Sequence, residues 1–333
     1  MLLMLEFSMI HADSRRAALE SWLAARLRGE RFSLTPASVD ASFRRYFRAA
    51  LPDGRSYVVM DAPPGKEDCR SFVHVAGLLR AAGVHAPEVH AEDLAQGFLL
   101  LGDLGARTYL QELNADNAAR LLGEATDALL RWQLATRPGE LPPYDEALLR
   151  REMNLFPEWY VARHLKVRLS DSQNNSLEQI FRLLVKSALA QPAVYVHRDY
   201  MPRNLMLSDP NPGVLDFQDA VLGPITYDMV SLLRDAFVSW DEERVLDWSA
   251  RYWEKAKRAG LPVDTDFAEF WRAFEWMGLQ RHLKVLGIFA RINYRDGKPK
   301  YLADTPRFIG YARAVSGRYA ALAPLAGLLD QLE

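Results

Sequence analysis

A single cysteine, Cys69, stands in 333 residues. That scarcity excludes an internal disulfide, and with no Cys/His cluster at ligand spacing a structural zinc site is excluded too; the expected compartment is the reducing cytoplasm. Excess charge of one sign is also missing. Lys and Arg number 41 against 43 Asp and Glu, a formal net charge of −2, so no broad field points to nucleic acid or an anionic membrane as partner. No apolar run reaches the roughly 18 residues that a spanning helix needs. The apolar start Met1–Phe7 carries Glu6 and no basic leader, so neither export nor anchoring is expected of it, only a strand or helix packed on the first part of the chain. Internal repeats and low-complexity runs are absent as well. The 49% hydrophobic and 25% charged residues are those of an ordinary globular protein, and the length exceeds one ordinary core, so two lobes are expected.

The chemistry is concentrated between residues 195 and 219. An apolar strand, Val194-Tyr195-Val196, leads into His197-Arg198-Asp199-Tyr200-Met201-Pro202-Arg203-Asn204, and a second strand follows as Val214-Leu215-Asp216-Phe217. His-x-Asp-x-x-x-x-Asn with a second aspartate at a strand end has the spacing of a kinase-type phosphotransfer centre. In-line phosphoryl transfer asks the protein to align a hydroxyl and to neutralise charge on the phosphoryl oxygens. Asp199 would orient or deprotonate the attacking hydroxyl. Asn204 and Asp216 would offer the oxygen ligands that Mg²⁺ prefers, with phosphates and water completing its shell. Asp and Asn also form plain hairpin turns; the flanking strands and Pro202 favour the catalytic reading. His197 reads as a brace of the loop, because Asp199 already fills the position of the base. Arg198 would offset local negative charge, and Asp219 is a candidate to face the site.

On these residues the chain resembles the aminoglycoside phosphotransferase-like branch of the kinase fold. Asp216-Phe217-Gln218 stands where protein kinases have Asp-Phe-Gly, no Ala-Pro-Glu follows, and Gly223-Pro224-Ile225-Thr226-Tyr227-Asp228 leads into an apolar helix from Met229 to Leu233. Within that branch, the segments Asp40–Arg48, Met60–Pro64 and Gln280–Arg291 are similar to the bacterial anomeric sugar kinases, which phosphorylate N-acetylmuramic acid and N-acetylglucosamine at C1 during cell-wall recycling. The resemblance spans nearly the whole chain. It implies an α+β, bilobal, protein-kinase-like fold, with a small β-rich N-lobe over 1–102 and a larger, mostly helical C-lobe over 103–333. ATP is expected in the cleft, its adenine against the backbone of Leu100, Leu101 and Gly102 and its phosphates under the 39–46 turn. That turn has no GxGxxG; Ser42 and its neighbours would offer backbone N–H groups, and Arg44 or Arg45 would contact phosphate unless both simply line a solvated hairpin. The resemblance further implies that Asp228 braces the catalytic loop by accepting backbone hydrogen bonds. One departure from the wider family is plain: Val58-Val59-Met60-Asp61 lacks the strand lysine that clamps phosphate, and Phe72, Val73 and His74 offer it no partner. Lys66 or an arginine of 39–48 is the candidate substitute.

Apolar periodicity predicts helices over 14–27, 68–82, 115–135, 146–166, 177–190 and 266–291, and Pro52-Asp53-Gly54 predicts a hairpin between strands 43–49 and 57–60. Substrate residues are expected on the helices after 140. Between Arg272 and Arg307 stand eight basic residues against three acidic ones, which disfavours a polycationic aminoglycoside and suits a sugar acid. In a helix, Met277, Arg281, Lys284, Ile288 and Arg291 share one face; it presents cations to the sugar or faces the core with snorkelling basic ends. Glu158, Trp159 and Tyr160 form a second candidate wall, Trp159 serving equally well as plain core. The function expected is an ATP- and Mg²⁺-dependent kinase of a small sugar with no obligate protein partner. The alternatives are another small hydroxyl acceptor, such as an aminoglycoside or amino alcohol, and an inactive nucleotide-binding regulator.

Overall fold

The computed structural model describes residues 2–39 and 43–332, with side chains over 14–37 and 43–332. The chain forms two compact units, Met1–Arg107 with Met206–Asp219, and Thr108–Leu205 with Ala220–Glu333.

The first unit begins with α1 (Leu2–Arg26), β1 (Ser33–Val39), β2 (Arg45–Ala50) and β3 (Ser56–Asp61), followed by α2 (Arg70–Ala81), β4 (Val89–Asp93) and β5 (Phe98–Gly102). The described strands pair antiparallel in the order β1-β2-β3-β5-β4. Side chains alternate across a strand, and the alternation decides which face is covered. Phe47 and Ala49 of β2, Val59 of β3, and Phe98 and Leu100 of β5 all pack with Leu19, Trp22 and Leu23 of α1. By the same alternation Arg45 and Asp61, paired in the β2–β3 register, end that covered face. There the fully buried Asp61 takes guanidinium groups from two sides, Arg15 of α1 with Nε at 3.0 Å and Arg45 with Nε at 2.8 Å. Two cations on one carboxylate fasten helix to sheet where an unpaired buried charge would be costly. The tight turn into β5 needs Gly97: φ is +72°, and a Cβ would lie 1.8 Å from the Ala62 carbonyl oxygen, which no L side chain escapes.

The chain then enters the second unit through α3 (Tyr109–Glu112), α4 (Ala118–Leu134) and α5 (Glu146–Met153), a π-helical segment over Phe156–Leu165, α6 (Asp171–Ala190) and β6 (Ala193–Val196). It returns to the first unit in the hairpin of β7 (Leu205–Met206) and β8 (Gly213–Val214), then completes the second with β9 (Val221–Pro224), α7 (Tyr227–Leu233), α8 (Glu242–Arg258), α9 (Phe267–Asp296), α10 (Thr305–Arg318) and α11 (Ala323–Gln331). The expected boundary at 102/103 is therefore corrected. Hydrogen bonds explain the change: Val214 donates its amide to His85 O at 2.7 Å, and Leu207 to Arg107 O at 2.9 Å. Gly213 sits so close to Leu104 that a Cβ would lie 2.9 Å from its Cδ1.

In the second unit β6 pairs antiparallel with β9, Val194 opposite Gly223, and α9 runs through the middle. Its N-cap Asp266 accepts from the Ala268 amide at 2.8 Å, and Gly297 ends it at φ +68°, as capping rules require. Buried side chains recur along it at Phe270, Phe274, Met277, Leu283 and Leu286. The single helix expected over 146–166 is in fact α5 followed by the π-helical turn. The change begins where α9 comes closest: a Cβ on Gly287 would lie 2.3 Å from the Leu155 carbonyl carbon, so the backbones touch there. Among the described residues no helix is long and apolar enough to cross a membrane.

Candidate active site

Strand β6 delivers the loop His197–Asn204, and the first turn of α7 holds it. Asp228, fully buried, accepts from the His197 amide at 2.7 Å through Oδ2 and from the Arg198 amide at 3.0 Å through Oδ1. Burial pushes its carboxyl up to about 7, against the opposing pull of those two amides and of Arg281. Arg198 is held at φ +76°, a left-handed conformation that costs a non-glycine residue about 1–3 kcal/mol and persists only where its surroundings impose it. His197 accepts from the Asp199 amide on Nδ1 at 3.3 Å and meets Tyr200 edge to face at 5.6 Å; the Tyr200 hydroxyl donates to Ala125 O at 2.8 Å. The Asp199 carbonyl in turn accepts from the Met201 amide at 2.9 Å and from Asn204 Nδ2 at 2.9 Å. The half-buried Asp199 thus rides on a loop whose turns are closed by its own backbone.

In the first unit, Asp216 follows β8 at φ +63° and is exposed. Its Oδ1 accepts from Gln218 Nε2 at 2.9 Å, and the next residue, Phe217, is buried against Phe72 of α2 with ring centroids 4.7 Å apart. An anchored neighbour and a left-handed backbone together turn the carboxylate outward. Among the described residues no group of three or more His, Cys, Asp and Glu gathers as an all-protein metal cage. By residue type Asp216 and Asn204 each fit Mg²⁺, which takes one or two hard oxygen ligands from protein and the rest from phosphate and water: Asp216 carries a carboxylate in the first unit, and Asn204, whose Nδ2 donates to Asp199 O, carries an amide oxygen in the second.

Of the residues expected to touch nucleotide, Leu100 and Leu101 lie buried in β5 and Gly102 ends it, its amide bonded to Glu88 O at 2.8 Å. Ser42 lies outside the described residues. Arg44 pairs with Glu67 at 3.0 Å, both side chains largely buried. Arg45 pairs with Asp61 in the cluster on the α1 face. The ammonium of Lys66 lies 4.1 Å from the centroid of the exposed Phe43 ring.

The expected substrate residues divide. Glu158 is exposed on the π-helical segment and Trp159 half-buried beside it, with the Arg163 guanidinium 5.7 Å from the Trp159 ring. The basic stripe of α9 turns inward: Met277, Arg281 and Lys284 are buried and Arg291 is half-buried. Lys284 Nζ lies 2.8 Å from Glu152 Oε1 and donates to the Tyr227 hydroxyl at 2.9 Å. Arg281 acts on the buried carboxylates of Asp228 and Asp235. At the surface Arg272 pairs with Glu269, and Arg295 with Asp296 at 2.6 Å. Of the eight basic residues of 272–307, Arg281 and Lys284 thus serve an internal charge system, while Arg272, Arg295 and Lys300 are exposed.

Glu152 is the residue that sequence reasoning missed. It receives Arg198 Nη2 at 2.5 Å, Lys284 Nζ at 2.8 Å and the Tyr144 hydroxyl. Burial alone would raise its carboxyl; Lys284 and Arg198 outweigh that and hold it at about 2. The available signal was an acid on an apolar helix face, since Leu149, Glu152 and Met153 of α5 stand at i, i+3 and i+4 and all are buried.

His282 carries a pH prediction. It is buried, neither ring nitrogen has a hydrogen-bond partner, and it stacks near Phe308 and Tyr311 of α10. Burial, then the charges of Arg234 and Arg281, hold its pKa well below the ordinary 6.5. The unfolded chain therefore binds this proton at a higher pH than the folded one, and its contribution to stability falls as pH drops below about 6.5. His282→Phe is expected to lose less stability than the wild type in urea melts between pH 7 and pH 5; equal losses in both would refute this.

Comparison with known proteins identifies the family. Residues 33–264 match the model of the phosphotransferase enzyme family. The chain is 58% identical over 301 residues to N-acetylmuramate/N-acetylglucosamine kinase of Pseudomonas putida and 60% identical over 299 residues to that of Pseudomonas aeruginosa, in each case covering 90% of this chain and 88% of the relative. Among solved structures, choline kinase LicA from Streptococcus pneumoniae aligns with a TM-score of 0.65 at 11% identity, over 90% of this chain and 99% of that one, a likeness of fold alone. The α+β fold is thus kinase-like, and the chain belongs to the phosphotransferase enzyme family, in the group formed by its N-acetylmuramate/N-acetylglucosamine kinase relatives.

Proposed function

We propose that this protein is an ATP-dependent kinase that phosphorylates the anomeric hydroxyl of N-acetylmuramate and N-acetylglucosamine in peptidoglycan recycling. The observation that carries the reading is the braced His197–Asn204 loop in a chain 58–60% identical to relatives named for those two sugars. Asp199 aligns the C1 hydroxyl and takes its proton as the sugar oxygen bonds to the γ-phosphorus of ATP and the bond from that phosphorus to the bridging β,γ oxygen breaks, releasing ADP; that hydroxyl is the most acidic on the sugar, which eases the transfer. Asn204 and Asp216 are the residues that would hold Mg²⁺, which would supply neutralisation of charge on the transferred phosphoryl group. Leu100, Leu101 and Gly102 would face the adenine through their backbone, and Glu158 and Trp159 are the candidates left for sugar contact, the buried Arg281 and Lys284 acting from behind. A cytoplasmic location follows from the ATP requirement and the lone thiol.

The test is ³¹P NMR of the protein with ATP, Mg²⁺ and each sugar. A new phosphomonoester signal split by the anomeric proton is the expected result. Phosphate on another hydroxyl, or product only with an amino alcohol or aminoglycoside, would overturn the acceptor assignment. ATP binding without transfer to any of these would overturn the enzyme reading in favour of a regulator.

A further inference from the structure

We propose that Glu152 is a positioning residue of the phosphotransfer centre, setting the catalytic loop through Arg198 and keeping the cations Arg198 and Lys284 off Asp199. The inference rests on the phosphotransfer reading above, and all of its groups belong to the second unit.

Three observations converge. First, Arg198 immediately precedes Asp199 and holds a backbone conformation, φ +76°, that an arginine does not adopt unaided. The residue is held at three points: its amide by Asp228 at 3.0 Å, its carbonyl by the Ser231 hydroxyl at 3.4 Å and its guanidinium Nη2 by Glu152 at 2.5 Å. The first two partners lie on α7 and the third on α5, so the loop is held from two helices at once. Second, Glu152 is itself immobilised. It is buried, Tyr144 donates to Oε2, and Lys284, which bridges to the Tyr227 hydroxyl of α7, sits on Oε1. Arg198 also lies over the Tyr144 ring at 5.9 Å, so the guanidinium has a fixed bed as well as a fixed counter-ion.

Third, the local charges do not balance without Asp199. Two buried cations share the single carboxylate of Glu152, and Asp199 is the other carboxylate that acts on both. Asp228 is answered separately by the loop amides and Arg281. With Glu152 neutralised, Asp199 would be left as the carboxylate that acts on both Arg198 and Lys284, and in a partly dry site that attraction is strong. The base would then be drawn toward its own scaffold and away from a substrate hydroxyl. Misplacing a reacting group by about 1 Å costs up to roughly 10²-fold in rate, so the effect should appear in kcat.

The experiment compares Glu152→Gln, Arg198→Met and the double variant in steady-state kinetics with ATP and N-acetylmuramate. Each single change is expected to lower kcat by about 10²-fold with both KM values within about threefold, the double to be no worse than the poorer single, and Glu152→Asp to recover part of the loss, because residues acting as one unit are not additive. Should Glu152→Gln not fold, Glu152→Gln/Lys284→Met, which removes one cation with the carboxylate, carries the same comparison. A folded variant with kcat within twofold of wild type, a loss confined to KM, or two losses that multiply would each overturn the proposal. Amide hydrogen exchange gives a readout independent of turnover: the amides of His197, Arg198 and Asp199 should exchange faster in Glu152→Gln while those of α8 and α10 do not change. If the wild type makes no sugar phosphate the functional reading fails, and unchanged exchange in 197–199 sinks the positioning role by itself.

Discussion

Asp199→Asn is expected to lower kcat by about 10³-fold, within the range of a lost general base, while ATP affinity stays within about threefold and the melting temperature within a degree or so of wild type. The structure explains why the damage should be so confined. What holds the loop together at this residue is backbone: the Asp199 carbonyl accepts from Asn204 Nδ2 and from the Met201 amide, and its amide donates to His197 Nδ1. An isosteric change at the half-buried side chain leaves all three bonds in place. It removes only the ability to take a proton and one negative charge beside Arg198 and Lys284. Steady-state kinetics and calorimetric titration with ADP read the two quantities separately. A loss smaller than tenfold would mean that Asp199 orients the hydroxyl without accepting its proton; a loss of ADP binding as well would mean that the loop had moved.

Gly287→Ala should cost on the order of 3 kcal/mol or more, at the upper end of overpacking penalties, and lower the melting temperature by roughly 6–12 °C. The added methyl would stand 2.3 Å from the Leu155 carbonyl carbon, 2.4 Å from its oxygen and 2.5 Å from its Cβ. Leu155 directly precedes the π-helical segment, and backbone cannot swing aside as the tip of a lysine can. Relief requires α9 and that segment to part along their contact, with loss of packing at Phe156 and Leu286. Gly123 of α4 provides the contrast, because nothing lies within 4 Å of a Cβ there. Gly123→Ala should stabilise by about 0.5–1 kcal/mol through helix propensity alone. Equal effects at the two glycines in urea melts would discard the close-approach account.

What was legible in the sequence follows from what is local in the chain. The spacing of Asp199, Asn204 and Asp216 is readable because apolar strands and loop polar residues alternate within about two dozen positions, and the β2–β3 hairpin is readable from Pro52-Asp53-Gly54. Non-local facts were hidden. Arg45 looks available to a phosphate until α1 is known to cover its face of the sheet and Asp61 to be waiting at the end of it. Lys284 and Arg281 look like a cationic stripe until α9 is seen to be buried on nearly every side. Glu152 meets Arg198 from 46 residues away, a pairing that no periodicity encodes. The π-helical segment escaped because its apolar residues still fall at spacings that an α-helix reading accepts over so short a stretch.

The return of residues 206–219 to the first unit has a consequence during synthesis. The sheet of β1–β5 leaves the ribosome early, yet His85 O waits for the Val214 amide and Arg107 O for that of Leu207. At roughly 5–20 residues per second the delay between Arg107 and Asp219 is on the order of 10 s. For that interval the nascent N-terminal unit stands without the hairpin that carries Asp216. A gene divided after residue 107 would thus yield an N-terminal fragment lacking residues 206–219, the last piece of its own unit.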